Sequence, residues 1–410
     1  MTDILAIDFG TSNSAAAVAT DRGITRIPVE DGAETLPTAV FFPVRGGMRI
    51  GSAAAEALIA GEEGRYMRAL KSVLGTPLLH ESRMIGGRRR TLAEIVTAFL
   101  VEVRERSDKA TGRTFRRALS GRPVHFHPDP ARDRQAEDDL RACYLAAGYE
   151  DVAFLPEPEA AAIASHGMDQ RNDLGLIVDI GGGTSDFTLF QSREGGLDIL
   201  ASHGIRLGGT DFDHAVSMAH AMPALGHGGT LRREMGAGEL PVPNSVYVDL
   251  ATWAKIPFLY TPETRRMVGG MVRMAVDRPK MERLATVLEE ELGHELAFAV
   301  ERGKIAANNR ANDARIEMGF IERGLSVPVT PATLNAALAA YRAELHDAAA
   351  ETLRRAGVAP GAVGRVILVG GSSLMTLVAE ASGQLCPQAR ILRSEAFTAV
   401  VDGLALAARG

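Results

Sequence analysis

The fold of this 410-residue chain depends above all on one stretch, Leu176-Ile177-Val178-Asp179-Ile180-Gly181-Gly182-Gly183-Thr184-Ser185-Asp186. An apolar run leads into Asp179, three glycines and three polar residues follow, and a second apolar run begins at Phe187. This pattern predicts a buried strand, a tight turn and a returning strand. Because glycine has no Cβ, the backbone N–H groups of such a turn can approach a ligand closely and point at it. The stretch is therefore typical of a phosphate-binding hairpin with a carboxylate for a hydrated cation.

A near copy of this stretch lies at the N-terminus, where Ile4-Leu5-Ala6-Ile7-Asp8-Phe9-Gly10-Thr11-Ser12-Asn13-Ser14 precedes a second apolar run. The apolar strand, the aspartate, the glycine-containing turn and the hydroxyl side chains recur in the same order. A single glycine turn would also suit a purely structural hairpin. Two matched turns of this kind favour ligand binding.

Composition limits the classes of protein to which the chain can belong. Hydrophobic residues make up 46%, charged residues 23%, and the length predicts two or more lobes. The net charge of −6 gives no support for a nucleic-acid or membrane surface, and we interpret Arg88-Arg89-Arg90 as a solvated loop. Two cysteines, Cys143 and Cys386, no signal-peptide pattern and no apolar run of ~20 residues predict a cytoplasmic location.

Several further segments predict regular structure. Thr91 and Glu94 form a capping box that opens a helix over 91–112, and residues 123–127 alternate as a strand. We interpret the two histidines of that strand as structural, because no further zinc ligands stand nearby. An alanine-rich helix closes the sequence over 396–410.

Two charged side chains are ambiguous from their local sequence alone. Lys71 lies in a predicted helical segment, where a lone lysine is normally solvated. Glu157 stands in Pro156-Glu157-Pro158, between a strand and an alanine-rich helix. Glu157 could be functional, or Glu157 or Glu159 could simply cap that helix.

The motifs occur in an order that resembles the actin-like ATPase superfamily, with its phosphate 1, connect 1, phosphate 2, adenosine and connect 2 motifs. The resemblance implies an α/β fold of two duplicated ribonuclease-H-like lobes with a nucleotide cleft. Lobe I would span 1–170, with a peripheral insertion at about 37–115, and would be completed by 392–410. Lobe II would span 171–391, with a helical insertion at about 212–314. A Walker-type phosphate loop is absent from the sequence.

Within that superfamily the wording resembles the DnaK-type, seventy-kilodalton heat-shock chaperones. The matching stretches are Ile7–Ser14, Glu157–Ala162, Asp179–Asp186, Gly208–Asp213 and Val369–Ser372. The chain is most similar to the short, YegD-like branch of that family.

Two departures from the family pattern accompany this resemblance. The sequence stops where the ATPase domain of the family stops, so we expect the peptide-binding domain to be missing. Ile305 and Asn308 stand where the classical family carries Arg and Ser, and the contacts to the adenine base are therefore expected to differ.

The resemblance implies Mg²⁺-dependent ATP hydrolysis by in-line attack of water. Lys71 and Glu157 would orient the attacking water, and Thr11 and Thr184 would touch the γ-phosphate. Asp8 and Asp179 would hold the hydrated Mg²⁺, with Asp186 as a further cation or water partner. The nucleotide-binding residues would be Gly10, Thr11, Ser12, Asn13, Gly181, Gly182, Gly183, Thr184, Gly208, Gly209, Glu301, Lys304, Asn308, Gly370, Gly371 and Ser372.

The implied partners are ATP and either an unfolded polypeptide or a separate protein that receives the motion of the lobes. A filament-forming protein of the actin or MreB kind is an alternative, and ATP-dependent pelleting would favour it. A sugar or acetate kinase of the same superfamily is another, although the sequence offers no motif for its catalytic carboxylate. A nucleotide binder without turnover is a further alternative.

Overall fold

The computed structural model describes residues 3–21, 23–30, 32–164, 174–193, 196–311, 313–393 and 398–409. Within these ranges no helix is both long enough and apolar enough to cross a membrane.

The strands of the described residues are short and number consecutively along the chain. They are β1 (Ile4–Phe9), β2 (Asn13–Thr20), β3 (Gly23–Ile27), β4 (Thr35–Pro37), β5 (Ala39–Pro43), β6 (Arg49–Ile50), β7 (Gly64–Arg68), β8 (Arg83–Ile85), β9 (Arg88–Arg90), β10 (Arg117–Arg122), β11 (Asp151–Pro156), β12 (Leu174–Ile180), β13 (Ser185–Arg193), β14 (Gly196–Ile205), β15 (Thr230–Arg232), β16 (Glu239–Pro241), β17 (Arg315–Glu317), β18 (Ser326–Pro328), β19 (Arg365–Val369) and β20 (Arg390–Arg393).

The helices alternate with these strands. They are α1 (Ser52–Ile59), α2 (Leu92–Thr111), α3 (Pro130–Ala146), α4 (Glu157–Ala164), α5 (Gly209–Val216), α6 (Met222–Ala224), α7 (Ser245–Leu250), α8 (Pro262–Met274), α9 (Arg278–Glu289), α10 (Gly293–Asn308), α11 (Pro331–Ala337), α12 (Ala339–Arg355), α13 (Thr376–Leu385) and α14 (Ala399–Ala407). Short 3₁₀ turns include Leu70–Val73, Pro77–Leu79 and Gly371–Leu374.

The chain divides into two compact units. The first unit comprises Met1–Gly209 and Arg342–Gly410, and the second comprises Thr210–Tyr341. Both predicted glycine hairpins belong to the first unit. The lobe boundaries that the sequence suggests at residues 170 and 391 divide the chain differently and stay a prediction.

The first unit contains two sheets that repeat one pattern. In the first sheet the order is β11-β10-β1-β2-β3, with β4 also paired to β2. In the second sheet the order is β14-β13-β12-β19-β20. Each predicted hairpin is present, because β1 runs antiparallel to β2 and β12 runs antiparallel to β13. On its other side each aspartate-bearing strand pairs in parallel, β1 with β10 and β12 with β19. The mixed α/β class and the duplication predicted from the sequence are confirmed.

Two helices of small residues cover the two sheets. α14 contacts β1 and β2, whereas α4 contacts β12 and β13. The two helices also contact each other, and their alanines join one buried core with Ala6, Ala15 and Ala17. A Cβ added at Gly403 would lie only 1.7 Å from the carbonyl oxygen of Ala160. The small side chains therefore allow an unusually close approach of the two backbones.

The helix predicted over 91–112 is confirmed as α2, and both hydrogen bonds of its capping box are present. The predicted final helix is α14, and its expected start at Ala396 lies outside the described residues. The prediction that Arg88–Arg90 forms a loop is wrong. These residues form strand β9, which pairs with β8, although their side chains are largely exposed.

The strand predicted over 123–127 is also wrong. β10 ends at Arg122, because Pro123 has no N–H to continue the parallel ladder. A side chain of α3 holds the loop that follows: the Asp133 carboxylate accepts a hydrogen bond of 2.6 Å from the N–H of Phe126. His125 lies 3.5 Å from the same carboxylate and is largely exposed.

Candidate functional site

The turns of the two glycine hairpins are shaped by backbone contacts. In the first hairpin a Cβ at Gly10 would lie 2.2 Å from the carbonyl oxygen of Asn13, so no other residue fits without displacement. In the second hairpin the N–H of Gly181 donates to the carbonyl of Thr184 at 2.9 Å. Asp179 and Asp186 stand opposite each other in the register of β12 and β13.

The two turns lie directly against each other inside the first unit. A Cβ at Gly182 would lie 2.5 Å from Ser12 Oγ and 3.0 Å from Thr11 Cβ. A Cβ at Gly183 would lie 3.3 Å from Thr11 Oγ1. The structure thus brings together Thr11, Ser12, Gly182 and Gly183, which are far apart in the sequence.

Two further glycine segments meet the second hairpin. A Cβ at Gly208 would lie 2.5 Å from the nitrogen of Gly183, and the N–H of Gly209 donates to the carbonyl of Gly181 at 2.9 Å. A Cβ at Gly209 would also collide with Ser372, at 2.3 Å from its Oγ. These contacts place Gly208, Gly209 and Ser372 against the second hairpin, as predicted for residues of one site.

Gly370 closes the site from the end of β19. Its φ of 82° is in the left-handed region, and a Cβ there would lie 2.4 Å from the carbonyl oxygen of Ile180 and 2.7 Å from Asp179 Oδ1. Only glycine satisfies both the backbone angle and the close approach. Gly371 follows as the first residue of the 3₁₀ turn over Gly371–Leu374.

Lys71 and Glu157 form a buried ion pair. The Lys71 Nζ and Glu157 Oε1 atoms are 2.5 Å apart, and their side chains are 7% and 12% exposed. Lys71 projects from the 3₁₀ turn over Leu70–Val73, and Glu157 is the first residue of α4. Lys71 is therefore buried, unlike the solvated lysine that is usual in such a local sequence. The carboxylate of Glu157 is turned to this lysine rather than free to act as a simple helix cap.

Three aspartates share the electrostatic environment of this ion pair. Burial, and after it the negative charge of Glu157, raise the pKa of Asp8 to about 7, although Lys71 opposes the rise. Burial also raises the pKa of Asp179 well above its usual range, with added repulsion from Glu157, Asp186 and Asp8.

Asp186 behaves in the same way, although it has more hydrogen bonds. Burial, and after it repulsion by Glu157, raise the pKa of Asp186 to about 8. The N–H of Val124 donates to Asp186 Oδ1 at 2.7 Å, and this bond and one from Thr184 limit the shift. Burial would lower the pKa of Lys71, but Glu157 and Asp8 outweigh it and raise that pKa.

The charges of this cluster do not balance. In the described part of the unit, four carboxyl groups surround the ammonium group of Lys71, and three of them are buried while that of Asp8 is half-buried. Full ionisation would leave a net charge of three negatives at this place. Such a set suits a hard divalent cation, because carboxylate oxygens are the ligands that Mg²⁺ prefers. Among the residues that the structure describes, no three His, Cys, Asp or Glu side chains are close enough to hold an ion directly.

The second unit contains the remaining predicted residues. Glu301, Lys304 and Asn308 lie on α10, at the spacing that places them on neighbouring turns. The Nζ of Lys304 lies 2.7 Å from Asp213 Oδ1, and both side chains are 8% exposed. Trp253 Nε1 donates to the other oxygen of Asp213 at 3.1 Å.

Asp213 is the ion-pair partner of Lys304, and this pairing was not predicted from the sequence. It stands at the end of the quoted Gly208–Asp213 motif, and that motif was the only signal in the sequence. Burial raises the pKa of Asp213, whereas Lys304 opposes the rise. The predicted nucleoside residue Lys304 is thus held by a carboxylate of its own unit.

Comparisons with known proteins found a matching family and several curated relatives. The sequence model of the family described as Hsp70 protein matches residues 4–224. The chain is 30% identical over 335 residues to a chaperone protein DnaK of Picrophilus torridus, and this match covers 79% of the chain and 51% of the relative. It is 33% identical over 224 residues to a chaperone protein DnaK of Endomicrobium trichonymphae, covering 53% of the chain and 34% of the relative. The chain thus spans about half, or less, of the length of these curated relatives.

Proposed function

Because the chain belongs to the Hsp70 family, we propose that it is an ATP-hydrolysing protein of the chaperone type that depends on Mg²⁺. One observation carries the proposal. The buried Lys71–Glu157 ion pair shares its surroundings with Asp8, Asp179 and Asp186, next to two facing glycine turns. Glycine turns of this kind bind phosphate through backbone N–H groups, and buried carboxylates supply the site of a cation.

The backbone of the site would hold the phosphates. The N–H groups of residues 10–13 and 182–184 would cradle them from two facing hairpins, because the N–H of Gly181 already donates to the carbonyl of Thr184. Thr11 and Thr184 would add hydroxyl donors to the γ-phosphate. Gly208 and Gly209 would allow the chain to approach the phosphates without side-chain hindrance.

The charged side chains would prepare the reaction. Lys71 and Glu157 would fix the attacking water in line with the γ-phosphorus, which removes much of the entropic barrier. Asp8 and Asp179 would hold the hydrated cation through its water molecules, and Asp186 would orient one of these waters. When bound, Mg²⁺ supplies positive charge that offsets the negative charge of the phosphates and of the aspartates.

The nucleoside contacts follow from the family resemblance. In the first unit we assign Gly370, Gly371 and Ser372 to this role, whereas for Glu301, Lys304 and Asn308 of α10 it stays an expectation from the resemblance alone. Lys304 would act together with Asp213, because separating this buried pair would leave an uncompensated charge.

A steady-state assay of phosphate release from ATP tests the proposal. We expect turnover with Mg²⁺ and its loss when EDTA removes the ion. Lys71→Ala should lower turnover by about 10²-fold or more while ATP binding persists. Lys109→Ala is the matched control, because Lys109 is an exposed lysine on α2. Magnesium-independent turnover, or equal turnover in the Lys71 variant, would contradict the proposed mechanism.

The chaperone part of the proposal has a separate test. The same assay is repeated with an unfolded polypeptide, such as a reduced and alkylated protein that cannot refold. Stimulation of turnover would support a polypeptide client. Turnover that does not respond would favour a nucleotide-controlled switch that acts on a separate partner protein.

A further inference from the structure

The turn that carries Lys71 is fixed to α3 by one buried carboxylate. Asp139 lies on α3, and its side chain is 3% exposed. Its Oδ2 accepts a hydrogen bond of 2.9 Å from the N–H of Gly75, and its Oδ1 lies 3.0 Å from Nε2 of His80. The Nε2 of Gln135, one helical turn earlier, donates to Oδ1 at 2.8 Å. Two of the three bonds of Asp139 therefore hold the segment that follows Lys71.

The packing around Gly75 shows how closely this segment lies on α3. Gly75 has a φ of 70°, and a Cβ there would lie 2.5 Å from the carbonyl oxygen of Arg132. A buried carboxylate is retained only where donors satisfy it, and the N–H of Gly75 is such a donor. The two 3₁₀ turns, Leu70–Val73 and Pro77–Leu79, lie on either side of this anchor point.

The turn itself is held in a conformation that it would not adopt freely. Ala69, directly before it, has a φ of 60°, which is uncommon for a residue with a Cβ. The Oγ of Ser72 donates to the carbonyl of Ala69 at 2.7 Å, and Arg206 Nη2 donates to the carbonyl of Ser72 at 2.9 Å. Backbone conformations of this kind persist where surrounding contacts over-determine them. Asp139 holds the chain three residues after Ser72, at the N–H of Gly75, from a buried position.

We propose that Asp139 is a positioning residue for Lys71, so that it sets the place of the ammonium group without touching the nucleotide. The inference rests on the proposed function, because it gives Lys71 a role in turnover. Lys71 reaches Glu157 across 86 residues of sequence, and its Nζ must stay within about 3 Å of the carboxylate to keep the pair. Loss of the Gly75 and His80 contacts would free the turn to shift. A shift of ~1 Å in a positioning group can lower turnover by about 10²-fold.

Kinetics of Asp139 variants test the inference. Asp139→Ala should lower kcat by about 10- to 100-fold and leave the KM and the directly measured Kd for ATP within about twofold. Asp139→Asn keeps an acceptor for the N–H of Gly75 and should recover part of the lost kcat. Asp138→Ala is the matched control, because Asp138 is the exposed neighbour on the same helix. Near-UV circular dichroism and ATP binding verify that each variant is folded, and the Asn variant carries the test if the Ala variant is not.

A double-mutant cycle separates positioning from a general loss of structure. In a Lys71→Ala background, single-turnover hydrolysis should not fall further when Asp139→Ala is added, because both changes act through the same ammonium group. A further fall in the double variant would overturn the inference. If Asp139→Ala keeps the wild-type kcat while Lys71→Ala is strongly impaired, the inference about Asp139 is wrong but the proposed role of Lys71 stands. Wild-type kcat in Lys71→Ala would overturn the role of Lys71, and with it the inference.

Discussion

The contact between α4 and α14 leads to the sharpest stability prediction, at Gly403. Replacing Gly403 with alanine would place a Cβ 1.7 Å from the carbonyl oxygen of Ala160 and 2.3 Å from its carbon. Real Cβ atoms essentially never approach closer than 3.0 Å, so the helices must separate by about 1.3 Å. Both helices are buried, and no flexible side chain lies there to absorb the movement.

The magnitude follows from two opposing effects. Overpacking of a buried contact costs about 1–3 kcal/mol, and a clash with rigid backbone belongs at the upper end. Alanine in place of glycine inside a helix returns about 1 kcal/mol through its better propensity. We therefore expect Gly403→Ala to lower the free energy of unfolding by roughly 2 kcal/mol.

The assay is chemical denaturation followed by circular dichroism, with Gly383→Ala as the matched control. Gly383 lies within α13 of the same unit, and a Cβ there would meet its nearest neighbour at an ordinary 3.5 Å. The control should raise stability by about 0.4–1 kcal/mol. A second readout is the kcat of ATP hydrolysis. A shift of α4 at Ala160 would also move Glu157, which lies three residues earlier on the same helix. A Gly403→Ala variant as stable as the wild type would contradict the predicted clash between α14 and the backbone of α4.

Three further predictions concern the charged cluster and the hairpins. Lys71→Ala should lower the rate of ATP hydrolysis by about 10²-fold or more and spare binding, as measured by single-turnover kinetics and nucleotide titration. In EDTA the unfolding free energy should fall as the pH rises from about 4 to about 8, because the raised pKa values of Asp8 and Asp186 mean that the folded state binds protons more tightly than the unfolded chain. Asp186→Asn should make this decline shallower, and Mg²⁺ should reduce it in the wild type; an unchanged slope in the variant would contradict the assignment. Gly182→Ala should weaken ATP binding by about tenfold or more, because its Cβ would lie 2.5 Å from Ser12 Oγ and displace the facing hairpin, and unchanged affinity in a calorimetric titration would count against two facing turns.

Much of the candidate site could be predicted from the sequence, because its central pieces are local. The apolar run, the aspartate and the glycines of residues 176–186 specify a strand, a turn and a returning strand within one short segment. The capping box at Thr91 is equally local, since its two hydrogen bonds join residues three apart. The strand predicted over 123–127 failed because a carboxylate on α3 holds that backbone instead.

The two hairpins, the α/β class and the family could all be predicted from the sequence, since they depend on the order and chemistry of neighbouring residues. Three pairings are visible only in the folded chain: Lys71 with Glu157, Asp139 with the N–H of Gly75, and Lys304 with Asp213. These partners are separated by tens of residues along the chain. Their pairing depends on which side chains lose water together when the chain folds, and desolvation is a property of the packed molecule rather than of any segment.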